Sequence, residues 1–173
     1  MESDITTYEQ LRERLKSELQ TDITVSSPRR LWATIKPDKL IESCAKAYDF
    51  GFKHLSTISV VDWLEEGKFE LAYHLWSYEH KLLLTLKTKI NREKPSIDSV
   101  CTFWGANAEV CERECHEFFG VEFIGNNNLK PLMLEGWNGP PPFRKDFDWR
   151  EYVRINYYHT DDSREEVYFE GGT

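Results

Sequence analysis

The sequence predicts an α+β fold: an antiparallel meander sheet packed against helices, followed by an irregular C-terminal arm and tail. Three observations carry this. Three consecutive runs between Phe52 and Ile90 alternate apolar and polar residues with the period of a strand. Segments on either side of them repeat apolar residues with the period of a helix. From Gly125 to Phe147 neither period continues. At 173 residues the chain is about one domain long, enough to bury a core without disulfide staples.

Taken in order, Thr7 and Gln10 have capping-box spacing, and Tyr8, Leu11, Leu15 and Leu19 recur at helical intervals, which predicts an amphipathic first helix. "DITVSS" and "RRLWATIK" predict two short strands broken at Ser27-Pro28. Pro37 and Asp38 open a second helix whose apolar face is Leu40, Ile41, Cys44, Ala47 and Tyr48, with Gly51 as its stop. In the meander, Phe69, Leu71, Tyr73 and Leu75 share one face of the middle run, as Leu82, Leu84, Leu86 and Ile90 do in the third. Glu66-Gly67 and Glu79-His80 mark the tight connections. After Pro95, "SIDSVCTFWG" predicts a short helix burying Ile97, Val100, Cys101 and Trp104. "NAEVCERECHEFFG" then predicts a longer one from Asn107 as N-cap to Gly120 as stop.

Residues 1–120 are thus expected to form the core domain, 121–150 an arm, and 151–173 a tail. Gly125 to Phe147 holds three glycines, four prolines and four asparagines, so no regular element fits. The same stretch carries Leu132, Met133, Leu134, Trp137, Phe143 and Phe147, which gain free energy only when covered, so it is expected to lie along a surface. The tail has six acids against two bases, half of the net charge of −8.

A net charge of −8 argues against a chain that neutralises a phosphate backbone, so nucleic acid is not an expected partner. The first ten residues lack the basic and apolar regions of an export signal, and no apolar run is longer than Leu82–Leu84. A soluble chain that stays in the cytoplasm is the expectation, with its four cysteines reduced. No CxxC pair is present.

The densest chemistry lies in "CERECHEFFG", from Cys111 to Gly120. Cys111, Cys115 and Phe118 fall on one helical stripe, the pattern of buried structural thiols. A metal would need at least two further soft or imidazole ligands, and His116 points off that stripe, so no metal ligand is assigned. The histidines at 54, 74, 80, 116 and 159 show no HxxxH or HExxH spacing. A small metalloenzyme built on Cys111, Cys115 and His116 is the alternative from a different functional class.

Glu109, Glu112, Glu114 and Glu117 share the rest of the helix with Arg113, which has Glu109 four residues before it and Glu117 four after. No nucleophile with an adjacent base and no phosphate-binding glycine loop accompanies them, so no catalytic residue is assigned. These carboxylates are either a solvated face or a docking face for basic groups of the arm, Arg144 and Lys145, or of another chain. The residues alone describe a cofactor-free domain whose work is holding on to other proteins.

"ERECHEFFGVEF", "NREKPSIDSV", "NLKPLML" and "GWNGPPPFRKDF" together resemble the signature of the C, or 30 kDa, subunit of respiratory complex I, most strongly from Arg92 to Phe147. The chain departs from that family in having Asn126-Asn127-Asn128 where a His-Pro-acid triplet is common, an extra proline in "GPPPFRKD", and Cys115. These departures are most similar to the archaeal branch, in the deazaflavin (coenzyme F-420) dehydrogenase complex that reduces methanophenazine.

The resemblance implies a peripheral subunit on the cytoplasmic face of the membrane in a proton-translocating oxidoreductase, with no cofactor of its own. Flavin and iron–sulfur clusters would sit in neighbouring subunits. Its implied partners are the D-type, hydrogenase-like large subunit beside the quinone cavity and the B-type cluster subunit. The implied interface is Glu112, Arg113, Glu114, Glu117, Phe118 and Phe119 on the helix, with Trp137, Phe143, Arg144, Lys145, Asp146 and Phe147 on the arm. An NADH:quinone oxidoreductase or a membrane-bound hydrogenase would use the same kind of subunit, so the electron donor, whether reduced F-420, NADH, ferredoxin or hydrogen, stays open.

Overall fold

The structure, a computed structural model, describes residues 2–157, of which 2–8 are described by their backbone alone. Helix α1 spans Glu2–Leu19. Its start lies upstream of Thr7, so the predicted cap is inside the helix. Leu15 and Leu19 are buried as the spacing requires.

Strands β1 (Ile23–Ser27) and β2 (Arg30–Thr34) form a hairpin whose turn places Pro28 before Arg29 at φ +64°. A 3₁₀ turn over Pro37–Lys39 leads into α2, Leu40–Asp49. The buried face of α2 is Leu40, Ser43, Cys44 and Ala47. Ile41, expected in this stripe, is exposed because residues at 40, 43/44 and 47 already fill the helix's contact arc.

The meander forms as predicted: β3 (His54–Trp63), β4 (Lys68–Ser77) and β5 (Leu82–Asn91) pair antiparallel. Gly67 turns the first connection at φ +62°, and Lys81 the second at φ +53°. Phe69, Leu71, Tyr73 and Leu75 of β4, with Leu82, Leu84, Leu86 and Ile90 of β5, are all buried. The sheet is larger than the meander, however. β2 docks parallel to β5, Leu31 opposite Leu84 and Ala33 opposite Leu86, which gives five strands in the order β1-β2-β5-β4-β3.

The predicted helix over 96–105 forms only in its second half, from Cys101, although Ile97, Val100 and Trp104 are buried as expected. Residues Ser96–Asp98 are a strand, β6, paired in parallel with β7 (Glu122–Ile124), so that Ile97 faces Phe123 and both are buried. α3, Cys101–Phe119, then consists of a short helical segment and a longer one that meet at a non-helical Gly105 (φ 52°, ψ −132°), so the predicted division into a short and a long helix holds there. Only glycine adopts that backbone readily. Asn107 does not cap a helix; its side-chain amide donates to Leu55 O. Cys115 Sγ donates to Ile58 O at 3.6 Å, so α3 also covers the outer edge of β3.

One core joins all of this: α1, α2 and α3 lie on one face of the sheet, and each fully buried leucine there contributes about 1.5–3 kcal/mol. The core reaches past residue 120 through Val121 and Phe123. The arm is irregular, but residues Trp149–Asn156, which straddle the expected arm–tail boundary at 150/151, form helix α4. Asp148 caps it, accepting from Arg150 N and Glu151 N at 3.0 Å each. The acidic residues Asp161, Asp162, Glu165, Glu166 and Glu170 lie outside the described residues.

Candidate functional site: the α3–arm junction

The carboxylates of α3 do different jobs, decided by where the helix turns each one. Glu112 lies on the stripe of Ala108, Cys111 and Cys115 and is completely buried. It accepts from Val100 N at 2.7 Å, Ser99 Oγ at 2.8 Å, Asn126 Nδ2 at 2.8 Å and Cys101 Sγ at 3.4 Å. Among the described residues no cation pairs with it. Burial of a carboxyl group is tolerated when donors fill its oxygens, and these donors come from the β6–α3 junction and from the start of the arm. Glu112 is therefore spent inside the chain.

Glu117 holds the middle of the arm. Its carboxylate accepts from the amides of Leu132 (3.1 Å), Met133 (3.0 Å) and Leu134 (2.7 Å). Three convergent N–H groups of an irregular segment would otherwise need water. Asn128 Nδ2 donates to Glu109 Oε1 at 2.6 Å. Arg113 forms no ion pair with Glu109 or Glu117 but donates to Lys130 O and Pro131 O at 3.0 and 2.9 Å. The helix's carboxylates thus do dock the arm, though through arm backbone and asparagine amides rather than through the charges of Arg144 and Lys145.

Arg144 instead donates through Nε to Phe119 O at 2.9 Å and lies over the ring of Phe69, 5.3 Å from its centroid. Gly120 makes room for it. A Cβ there would come within 3.0 Å of Arg144 Nη2 and of Pro141, and its φ of +77° is that of a helix-ending glycine. Phe143 stacks on Phe118 with ring centroids 4.3 Å apart, and its amide donates to Phe118 O. Trp137 packs against Phe147 and Tyr152, and Gly139 fits because a Cβ would meet both Trp137 and Tyr152 at 2.7 Å.

The arm's end is held by a group of charges that sequence reasoning missed. Arg92 donates to both oxygens of Asp62 (2.8 and 3.0 Å) and to both of Asp146 (2.5 and 3.0 Å). Lys145 N adds a third donor to Asp62 at 2.9 Å. Burial pushes the Asp62 carboxyl up, but the Arg92 and Lys145 hydrogen bonds outweigh it and leave the group below its ordinary value. Asp146 is lowered chiefly by the Arg92 hydrogen bond, and Arg92 is correspondingly raised. A signal was available: Asp62 occupies an inward position of β3 in series with Ile58 and Val60, where a charge requires a partner.

Cys111 and Cys115 are buried as the stripe required, whereas Cys101, expected to be buried, is half-buried. Burial raises the thiols of Cys44, Cys111 and Cys115 above the ordinary value, and Cys101 is pushed up to about 11, first by burial. His116 Nδ1 lies 2.9 Å from Val121 O. Among the described residues no three His, Cys, Asp or Glu side chains converge as metal ligands.

Of the residues expected at a subunit interface, Glu112 and Phe118 are buried within the chain, and Arg113, Glu117, Phe119, Arg144 and Asp146 serve the arm. Phe143 keeps 57% of its surface exposed and Lys145 is exposed. Met133, Trp149, Ile155 and Tyr157 join them as exposed apolar residues of the arm and α4.

Residues 33–153 match the family model of the respiratory-chain NADH dehydrogenase 30 Kd subunit. The chain is 37% identical over 127 residues to the C-type subunit of F(420)H(2) dehydrogenase from Methanosarcina mazei, across 72% of this chain and 79% of that one. It is 32% identical over 142 residues to the C-type subunit of NADH-quinone oxidoreductase from Roseiflexus sp. (strain RS-1), across 78% and 80%. A chain in the structure of the membrane-bound sulfane sulfur reductase, an archaeal respiratory membrane complex, superposes with a TM-score of 0.81 at 31% identity, covering 90% of this chain and 94% of that one. Among the described residues no helix is long and apolar enough to cross a membrane.

Proposed function

Since the chain belongs to the family of the respiratory-chain NADH dehydrogenase 30 Kd subunit, we propose that it is a non-catalytic, peripheral subunit of a complex I-like oxidoreductase that holds other subunits in place. Its partners in this reading are the D-type large subunit beside the quinone-like acceptor and the B-type cluster subunit. The chain binds no flavin, cluster or quinone itself. It supports electron transfer and coupled proton translocation by fixing the spacing of the subunits that do. Reduced coenzyme F-420 is the proposed donor, with a methanophenazine-type acceptor, a choice supported by the similarity to the Methanosarcina mazei protein.

One observation carries the reading. The irregular arm is fastened to its own domain along its length, among other contacts by Glu112–Asn126, Glu117 with the amides of 132–134, and Arg92–Asp146, yet it turns Met133 and Phe143 outward, 62% and 57% exposed. A segment fixed inward by polar groups and presenting large apolar residues outward is pre-organised for a partner, because the ordering cost is met before binding.

Charge reversal tests it. Lys145→Glu and Glu114→Lys change side chains whose charged ends make no hydrogen bond or ion pair with the described residues, so the urea midpoint of the isolated chain is expected to stay unchanged. The yield of assembled complex should fall at least fivefold. Arg144→Glu is a poorer probe, since Arg144 also holds Phe119 and Phe69. Unchanged assembly in both variants would contradict the docking role.

A further inference from the structure

Among the described residues, the five-stranded sheet carries helices on one face only. On the other, Trp32, Val61 and Trp63 are each 41% exposed, and Trp76 and Leu83 are half-buried beside them. At its centre His74 of β4 links two neighbouring strands, 3.3 Å from Ser59 Oγ and 3.1 Å from Thr85 Oγ1. None of the arm's fastenings reaches this face.

Its charge is opposite to that of the chain. Within the strands it holds Arg30, Lys68, Lys87 and Lys89, of which Lys87 pairs with Glu70 at 3.5 Å and Lys89 with Glu66 of the β3–β4 turn at 2.7 Å, leaving the face net positive on a protein of net charge −8. Lys87 Nζ lies 3.9 Å from the centroid of the Trp32 ring and Lys89 Nζ 4.9 Å from that of Trp63, so cations and indoles are already arranged together. Three ten-residue and two five-residue strands, about 4.8 Å apart and rising about 3.3 Å per residue, make this face about 600 Å². That approaches the ~800 Å² one partner contributes to a standard interface, and tryptophan, present here at positions 32 and 63, is among the residues enriched in binding hot spots.

We propose that the helix-free face of the sheet docks an amphipathic helix of a partner subunit, with aliphatic residues along one side and Asp or Glu along its margins. The inference rests on the reading of the chain as a subunit. A helix fits because the face offers side chains rather than open backbone, and a second helical layer would cover it as α1 to α3 cover the first. A second copy of this chain fits badly, since a two-fold contact would set two net-positive faces against each other.

The test compares lysine acetylation rates in the isolated full chain and in the complex purified from native membranes, followed by zero-length carbodiimide crosslinking. Lys87 and Lys89 are expected to react at least tenfold more slowly in the complex, and to crosslink to carboxylates of one partner subunit spaced three or four residues apart. Equal rates in a complex that still contains its large subunits would overturn this proposal and leave the subunit reading standing. Recovery of the chain without partners would overturn both. Protection already present in the isolated chain and lost on dilution, or crosslinks confined to carboxylates of the same chain, would also overturn it.

Discussion

Arg92 and Asp146 are 54 residues apart in sequence, and both carboxylate oxygens of Asp146 lie on the Arg92 guanidinium, at 2.5 and 3.0 Å. The same guanidinium grips Asp62, whose side chain is only 2% exposed. The end of the arm is thereby tied to β3 and to the exit of β5.

Removing the arginine leaves Asp62 buried without its cation. Arg92→Ala is expected to destabilise the isolated chain by about 3 kcal/mol in urea unfolding, the scale for breaking a buried pair from one side. A loss under about 1 kcal/mol would mean the clamp is not formed in solution.

Both clamp carboxyls sit below their ordinary values in the folded chain. Their contribution to stability is therefore complete above the unfolded value of about 3.9 and disappears as pH falls through the lower folded values. Carboxyl NMR titration should find Asp62 and Asp146 midpoints below about 3.9 in the wild type. Asp62 should titrate at higher pH in Arg92→Met; identical midpoints in the two proteins would contradict the assignment.

Glu112 and Glu114 stand two residues apart on one helix and should behave oppositely. Glu112→Ala strands Ser99 Oγ, Val100 N and Asn126 Nδ2 and is expected to cost about 3 kcal/mol, whereas Glu114→Ala should stay within about 0.5 kcal/mol. Equal effects in chemical denaturation would show that the buried cluster is misassigned.

Glu117→Ala frees the amides of Leu132, Met133 and Leu134. Hydrogen exchange at these three should accelerate at least tenfold, while β4 and β5 amides keep their protection, because the change is local to the arm. Acceleration spread evenly over the sheet would instead indicate global destabilisation.

Tyr73 is fully buried, and its hydroxyl has no hydrogen-bond partner among the described residues. Tyr73→Phe removes that unsatisfied group without opening a cavity and is expected to raise stability by about 1 kcal/mol. A loss of stability would reveal a partner for the hydroxyl.

The meander and its buried face were legible because period-2 alternation names one face residue by residue, from Phe69 to Leu75 and from Leu82 to Ile90. The parallel docking of β2 on β5 was not, since nothing local in "RLWAT" specifies a neighbour some 50 residues later. Ser96–Asp98 was misassigned because three residues carry too little periodicity to tell β6 from a helix turn, and its partner β7 follows the whole of α3. On α3 the stripe of Cys111, Cys115 and Phe118 was legible. Glu112 on that same stripe should have been expected to turn inward, but carboxylates in a cluster look alike until the backbone sets which way each points. That the helix would dock the arm was also legible, but the amides of 132–134 that Glu117 holds carry no side-chain signature.

The most direct test of the subunit assignment is a gentle detergent pull-down of the tagged chain from its native membranes, with mass spectrometry of what accompanies it. The account predicts a cluster-bearing protein and a hydrogenase-like large subunit in near-equal amounts, with the input subunit naming the electron donor. Recovery of the chain alone, loaded with about one equivalent of zinc or iron, would contradict it and return attention to Cys111, Cys115 and His116.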